Sequence, residues 1–176
     1  MAEITALDLK LIPVMKWDFR FLDLARHVST WSKDPSTQCG AVIVRPDKTI
    51  ASVGFNGFPR GIPDDEHLLN NREEKYKRVI HAEVNAVLHC AERPVGYTLY
   101  TWPPGVGPTC ERCATVVIQS GISRVIYVKD ESDFAHRWAE SCRVGLEMYR
   151  AAGVNIHPVR KQLFDHYRQG QIANGN

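Results

Sequence analysis

The alternation of apolar and polar positions predicts a chain of alternating helices and short strands. Apolar residues recur at helical spacing from Trp17 to Val28, which indicates a helix over residues 16–31. Two apolar, β-branched runs at 41–44 and 50–55 flank a polar turn, an arrangement typical of a β-hairpin. Beyond them the pattern predicts buried helices over 81–91 and 110–120, strands over 97–102, 123–128 and 154–159, and a helix over 134–152.

The segments between these elements are rich in turn-forming or charged residues. Residues 56–61 and 103–109 predict loops, and the strongly charged stretch 64–78 predicts solvent-facing loop and helix. Gly121 and Gly153 are expected to end the helices that precede them. The polar residues 160–176 predict a partly disordered tail behind a core of about residues 17–159. Residues 1–176 therefore predict a single α/β domain, with helices packed against a sheet.

Composition limits the classes of partner. The 176 residues carry 22 Lys and Arg against 20 Asp and Glu, and a formal net charge of +2 is too small to favour a polynucleotide or a membrane surface. No apolar run is long enough for a membrane span, and we expect no signal peptide. Five cysteines form an odd, sparse set, which favours a reducing compartment and predicts a cytoplasmic protein.

Two short motifs carry candidate chemistry. The motif HAE begins at His81, and the motif CERC runs from Cys110 to Cys113. One imidazole and two thiolates predict a zinc site with an open fourth position, which is the mark of a catalytic rather than a structural zinc. Glu83 is not needed as a ligand and is therefore the candidate proton shuttle. Together the two motifs match the signature of zinc deaminases.

The spacing of these residues requires that they stand at helix starts. Positions i and i+2 point roughly 200° apart on a helix, so His81 and Glu83 share a site only where the chain enters from a loop. Two non-catalytic interpretations of these residues stay open at this point. The residues are a core histidine and unrelated cysteines, or they form a structural zinc site closed by His89 or Cys90.

The chain resembles the deoxycytidylate (dCMP) deaminase family of the cytidine-deaminase-like superfamily. The resemblance rests on the segments SKDPSTQ (32–38), GFNGFPRG (54–61), HAEVNA (81–86), CERCA (110–114) and IQSGI (118–122). It implies a three-layer sandwich with a mixed five-stranded sheet, helices on both faces and a homo-oligomer, commonly a hexamer.

The resemblance also implies an activity and further site residues. The activity is the conversion of dCMP to dUMP and ammonia, by attack of a zinc-bound hydroxide on C4 with Glu83 as proton shuttle. Asn56 is expected to bind the sugar, Lys33 and Arg60 are candidates for the phosphate, and Ala82 is expected to lie beside the substrate. Some members of the family are regulated by dCTP and dTTP.

One departure from the family leaves the substrate open. Five residues, Gly105 to Thr109, stand between Pro104 and Cys110, where the family usually has Pro directly before the first cysteine. The alternatives are 5-substituted dCMP, cytidine, dCTP or another aminated base with the same chemistry. From a different class, the alternative is a non-catalytic, zinc-containing nucleotide-binding protein.

Overall fold

Each short apolar run predicted as a strand becomes a strand of one sheet in the computed structural model, which describes residues 15–130 and 137–173. The hairpin, the helix–strand alternation after it and the helix stop at Gly121, which has a φ of 93°, agree with the sequence-based prediction. In chain order the elements are α1 Lys16–Ser29, β1 Gly40–Val44, β2 Ile50–Phe55, α2 Glu66–Asn70, α3 Arg72–Arg78, α4 Ala82–Leu88, β3 Thr98–Gly105, α5 Glu111–Ser120, β4 Arg124–Lys129, α6 Ala139–Ala151, β5 Asn155–Arg160 and α7 Lys161–Ala173.

The sheet is mixed, with the strand order β2-β1-β3-β4-β5. Strand β1 pairs antiparallel with both β2 and β3, whereas β3, β4 and β5 run parallel. The two parallel connections pass through α5 and α6, because parallel neighbours need a crossover. The carboxyl end of β3 therefore leads directly towards the start of α5, where the cysteine motif lies.

Alternate side chains of the strands enter two separate cores. Val42 and Val44 of β1 pack with α1 and α7 on one face, whereas Ala41 and Ile43 pack with α4, α5 and α6 on the other. This alternation follows from the two-residue period of a strand and explains why β1, which is covered on both faces, is apolar throughout. The predicted three-layer α/β sandwich is confirmed.

Two glycines let a helix lie directly against the sheet. A Cβ atom built on Gly40 would stand 2.1 Å from the carbonyl oxygen of Ala25 in α1. On the opposite face, a Cβ atom on Gly54 would stand 2.3 Å from both the carbonyl oxygen of Ala82 and the amide nitrogen of Ala86 in α4. The positions of α1 and α4 therefore depend on the absence of a side chain at these two strand residues.

The prediction of a partly disordered polar tail over residues 160–176 is wrong for most of that segment. Residues 161–173 form α7, and Leu163, Phe164 and Tyr167 are buried against α1 and the sheet. Their spacing at i, i+1 and i+4 gives α7 one apolar stripe that the overall polarity of the segment conceals. The prediction of a core that ends near residue 159 is corrected accordingly.

Three smaller predictions need adjustment. The segment 64–78 contains two short helices, but Lys75 within it is buried rather than solvent-facing. Strand β3 continues through Pro103 to Gly105 instead of ending at Trp102. The helix predicted over 134–152 begins at Ala139, and residues 134–136 lie outside the described residues. Within the described ranges, no helix has both the length and the apolar composition that a membrane span requires.

Candidate metal centre and substrate cleft

Three side chains from the two sequence motifs converge beside the sheet. Nδ1 of His81 lies 3.4 Å from Sγ of Cys110 and 3.3 Å from Sγ of Cys113. The three ligand atoms all lie within 4.8 Å of one another. Two chain segments about thirty residues apart therefore present one nitrogen and two sulfur atoms to a common point.

Helix starts create this convergence. His81 and Cys110 are the capping residues immediately before α4 and α5, and both have an extended backbone conformation. Sγ of Cys110 accepts a hydrogen bond from the backbone N–H of Cys113, 3.5 Å away. This contact uses one of the unpaired N–H groups at the start of α5, a place where a thiolate is favoured.

The donor set and its spacing fit zinc. With Zn–S near 2.3 Å and Zn–N near 2.0–2.1 Å, tetrahedral geometry separates nitrogen and sulfur ligands by about 3.6 Å. The observed separations of 3.3 and 3.4 Å need only a small expansion. Among the described residues the group has three members, and neither His89 nor Cys90 joins it. The arrangement is that of an open, three-ligand site rather than a closed structural one.

Protons are shared within this group in the absence of metal. A hydrogen bond from Cys113, together with one from His81, lowers the pKa of Cys110 to about 4. The same contact with Cys110 raises the pKa of Cys113, so the two sulfur atoms hold one negative charge. The hydrogen bond to Cys110 raises the pKa of His81 to about 9. Binding of a metal ion must therefore displace protons from the group.

Glu83 lies in the first turn of α4 and lines the cleft together with His81 and Cys110. Burial raises the pKa of Glu83 above that of an ordinary carboxylic acid, although the positive charge of His81 opposes the effect. A carboxyl group with a raised pKa beside a set of metal ligands is suited to proton transfer near neutral pH. The first-turn placement predicted for His81 and Glu83 is what brings both to one cleft.

The cleft has a volume of about 930 Å³ including its mouth. One wall is the segment 101–110, and a second wall is formed by residues that precede β1, by a residue that follows β2 and by residues of α3. Asn56 lies in the second wall and is 4% exposed. Its Oδ1 atom accepts a hydrogen bond from the backbone of Cys39, and its Nδ2 atom donates to the carbonyl oxygen of Thr37. Asn56 thus ties together the two loops on which this wall is built.

The family assignment follows from comparison with known proteins. Residues 15–129 match the profile of the cytidine and deoxycytidylate deaminase zinc-binding region. The chain belongs to this deaminase family. An uncharacterized deaminase from the luxG 3′ region of Aliivibrio fischeri is 42% identical over 144 residues, which are 81% of this chain and 93% of that protein. The deoxycytidylate deaminase of Mus musculus is 33% identical over 148 residues, which are 81% and 79% of the two chains.

The fold is also that of a solved deaminase. The dCMP deaminase of cyanophage S-TIM5, crystallised with dCMP and dUMP, superimposes with a TM-score of 0.63 and 22% sequence identity. The superposition covers 82% of this chain and 97% of the phage protein. At this identity the likeness supports the three-layer fold.

The deaminase cleft contains a buried ion pair that the sequence did not reveal. Nζ of Lys75 lies 2.8 Å from Oδ1 of Asp34 and 2.5 Å from Oγ of Ser36. The side chains of Lys75 and Asp34 are 5% and 8% exposed. Burial alone would raise the pKa of Asp34, but hydrogen bonds from Lys75, Ser36 and Thr37 outweigh it and hold the pKa below its ordinary value.

The sequence contained only a weak signal for this pair. Asp34 was part of a turn motif, and Lys75 was one cation in a highly charged run. A lysine is seldom buried unless it is paired. The charged run offered no means of choosing Lys75 from its neighbours.

The other residues expected to contact substrate take different positions. Lys33 and Arg60 are exposed and are not among the residues that line the cleft, and Nζ of Lys33 pairs with Asp64 at 2.7 Å. Ala82 is fully buried in the core between α4 and the sheet. The structure thus brings Asn56, His81, Glu83 and Cys110 to the lining of one cleft, with Cys113 buried beside His81. It does not bring Lys33, Arg60 or Ala82 there.

The additional residues before Cys110 form a wall that is packed against α6. Oγ1 of Thr101 donates a hydrogen bond to the carbonyl oxygen of Pro108, and the hydroxyl groups of Thr109 and Tyr149 lie 3.0 Å apart. A Cβ atom on Gly107 would stand 2.8 Å from Cβ of Cys142. These contacts hold the segment in place beside the metal ligands of this deaminase.

Proposed function

We propose that this protein is a zinc-dependent deaminase that hydrolyses dCMP to dUMP and ammonia. The observation that carries the proposal is the convergence of His81, Cys110 and Cys113 at the edge of the cleft that Glu83 lines. Membership of the deaminase family and the relatives named deoxycytidylate deaminase support the choice of substrate. His81, Cys110 and Cys113 would hold the zinc ion.

Zinc bound at such a site supplies a water molecule that is acidic enough to act as a nucleophile near neutral pH. The residues of the chain then accept and donate the protons that the reaction requires. Hydrolysis places the oxygen of one water molecule on C4 of the base and releases the exocyclic nitrogen as ammonia. Glu83 accepts a proton from the water and delivers it to N3 of the ring. In the second half of the reaction Glu83 takes the remaining proton of the former water molecule from the new hydroxyl group on C4 and transfers it to the departing amine nitrogen, so that the C4 carbonyl forms as the C–N bond breaks.

The cleft supports this chemistry by limiting access of bulk water to Glu83. Burial holds the carboxyl group in surroundings where its pKa is raised, so that both of its protonation states are accessible during turnover. The apolar residues Trp102, Pro103 and Val106 line the same cleft. A planar base fits between such a wall and the metal ligands, because aromatic and proline surfaces stabilise a ring by contact.

The experiment that tests the proposal compares Glu83→Gln with the wild-type protein. We expect the variant to retain one zinc ion per chain while release of ammonia from dCMP falls by about 100- to 10,000-fold, the usual contribution of general acid–base catalysis. Glu111→Gln is the matched control, because Glu111 adjoins Cys110 without lining the cleft. Normal turnover by Glu83→Gln would refute the proton-shuttle role, and loss of zinc would make Glu83 a structural residue.

The identity of the base is decided by a panel of substrates. Purified zinc-loaded protein is incubated separately with dCMP, CMP, dCTP, deoxycytidine and 5-methyl-dCMP, and ammonia is measured. Preferred turnover of dCMP supports the proposal. Preference for 5-methyl-dCMP would keep the chemistry and make the segment 103–109, which lines the cleft, the element that selects the base.

We further propose that the protein acts as a cytoplasmic homo-oligomer. The resemblance to a family with common hexamers supports an oligomer, and the role in nucleotide metabolism supports the cytoplasm. Light scattering coupled to size-exclusion chromatography measures the mass against 19.9 kDa for one chain. A mass of one chain at micromolar concentration would contradict the oligomer.

A further inference from the structure

The phenol of Tyr149 lies in a part of the core that is otherwise apolar. Its side chain belongs to α6 and is fully buried against the sheet. In residues 15–130 and 137–173 the Tyr149 hydroxyl has one hydrogen-bond partner, Oγ1 of Thr109 at 3.0 Å. Phenylalanine would fill the same space without the cost of burying a hydroxyl group, so what the hydroxyl contributes must come through Thr109.

The number of available protons gives this hydrogen bond a direction. Thr109 is 4% exposed, and its Oγ1 atom also donates to the carbonyl oxygen of Cys110 at 3.1 Å. A hydroxyl group has a single proton to donate, so the Tyr149 hydroxyl is the donor in its contact with Thr109. Two hydrogen bonds therefore run in one direction, from the phenol through Thr109 to the backbone of Cys110.

These two hydrogen bonds end on the peptide group at which α5 begins. The carbonyl oxygen of Cys110 also accepts the first helical hydrogen bond, from the N–H of Ala114 at 3.0 Å. Two donors thus restrain the backbone of Cys110, which has φ −71° and ψ 166°. Because its carbonyl and its side chain are attached to the same Cα atom, a rotation of this residue would move Sγ relative to His81, now 3.4 Å away.

The helix that carries Tyr149 also touches the same segment with its backbone. A Cβ atom built on Gly145 would stand 3.1 Å from the carbonyl oxygen of Thr109 and 3.4 Å from the carbonyl carbon of Cys110. Gly145 and Tyr149 are four residues apart and lie on one face of α6. The close approach at Gly145 therefore keeps the phenol within reach of Thr109.

Threonine at position 109 stands where the deaminase family usually has proline directly before the first cysteine. A proline ring fixes its own φ at about −65° and so limits how the chain enters the helix. Threonine has no such covalent restraint, and here its side chain is held by hydrogen bonds instead. Among the described residues the backbone N–H of Thr109 donates no hydrogen bond, so proline would remove none.

We propose that Tyr149 is a positioning residue for the metal ligand Cys110 and that it acts through Thr109. The two hydroxyl groups supply by hydrogen bonding the restraint that proline supplies elsewhere in the family. The inference rests on the proposed function and deepens it, since it adds two residues outside the set of ligands that would hold the zinc ion.

The test measures the zinc affinity of the full-length protein by competition with a chelator of known affinity. Tyr149→Phe keeps the ring and removes the hydroxyl group. It should weaken zinc binding by about 10- to 100-fold, the usual effect of losing a group that orients a metal ligand. Tyr100→Phe is the matched control, because Tyr100 is also buried and donates to Asp18 at 2.7 Å, but it packs on the opposite face of the sheet. Its zinc affinity should equal that of wild type.

Variants at position 109 test whether the tyrosine acts through Thr109. Thr109→Val should weaken zinc binding by at least as much as Tyr149→Phe, and the double variant should be no weaker than Thr109→Val alone, because all three lose the same hydrogen bonds. Thr109→Pro combined with Tyr149→Phe should restore the wild-type affinity, since the ring restrains the backbone without the phenol.

Cobalt(II) bound in place of zinc reports the geometry of the ligands. Its visible absorption bands should shift in Tyr149→Phe, stay unchanged in Tyr100→Phe and return to their wild-type positions when Thr109→Pro is added to Tyr149→Phe. A merely structural role of the phenol would leave these bands in place. Circular dichroism verifies that each variant is folded.

The outcomes separate this inference from the proposed function. If wild type and Tyr149→Phe bind zinc equally tightly, the positioning role is overturned and the deaminase proposal stands. Equal weakening by Tyr149→Phe and Tyr100→Phe would also overturn it, as would effects of Tyr149→Phe and Thr109→Val that add in the double variant. Failure of Thr109→Pro to restore affinity would overturn the equivalence with proline. If wild type neither binds zinc nor releases ammonia from dCMP, both proposals are overturned.

Discussion

The contact between Gly54 and α4 offers the sharpest test of how the fold positions the metal ligands. Substitution of Gly54 by alanine would place a methyl group 2.3 Å from two backbone atoms of α4, the carbonyl oxygen of Ala82 and the amide nitrogen of Ala86. Ordinary van der Waals contact begins near 3.4 Å. Since both opposing atoms belong to the backbone, rotation of a side chain cannot relieve the clash, and α4 must move away from β2 by about an ångström.

The expected cost follows from this geometry. Overpacking of a well-packed core costs about 1–3 kcal/mol, and we expect the upper end because two backbone atoms are opposed at once. For a chain of this length, about 3 kcal/mol lowers the melting temperature by about 6–12 °C. The same displacement moves His81, which immediately precedes α4, away from the cysteine ligands, so the affinity for zinc should fall as well.

The assay measures thermal unfolding and zinc content in three variants. Gly40→Ala is the first control: its methyl group would meet the backbone of α1 on the opposite face, so stability should fall while zinc is retained. Gly57→Ala is the second control, because no atom lies within 4 Å of its added methyl group, and it should behave as wild type. If Gly54→Ala melted within a degree of Gly57→Ala with full zinc content, the argument that this contact positions α4 would be wrong.

Two further predictions concern the ion pair and the last helix. Asp34→Asn leaves Lys75 buried without its partner and should cost about 3 kcal/mol at pH 7. Because the pKa of Asp34 is lower in the folded protein than its unfolded value of about 3.9, this difference should shrink as the pH falls below 4, measured by urea unfolding. A constant difference down to pH 3 would contradict the assigned pKa direction. Phe164→Ala should destabilise the protein by about 3–5 kcal/mol in the same assay, whereas Gln162→Ala, exposed on α7, should change little. Equal stabilities would mean that α7 is dispensable.

The metal ligands could be predicted from sequence because their placement depends on local structure. His81 and Cys110 each stand directly before an apolar helical pattern, and a helix start imposes the same capping geometry wherever it occurs in a fold. The three-residue separation of Cys110 and Cys113 then requires that both sulfur atoms lie on one side of the first turn. Only the partner of each motif had to be inferred, and the resemblance to the deaminase family supplied it.

The residues predicted less well are those whose role depends on distant contacts. Lys75 looks like any cation in a charged run, and it is buried only because Asp34, forty-one residues earlier, lies beside it. Lys33 and Arg60 occur within segments that resemble the family, yet the loops that carry them direct both side chains outside the cleft. Neither outcome has a signature in the periodicity of the chain.

The sequence by itself determined the order of helices and strands as far as β5 and the chemistry of the zinc group. Each of these follows from patterns a few residues long, through backbone geometry that does not depend on the rest of the molecule. Only the tertiary structure decided that α7 belongs to the core, that Asp34 and Lys75 form a buried pair, and that the hydroxyl of Tyr149 meets that of Thr109. These features arise where segments distant in the chain pack together, and packing against distant partners overrides what local polarity suggests.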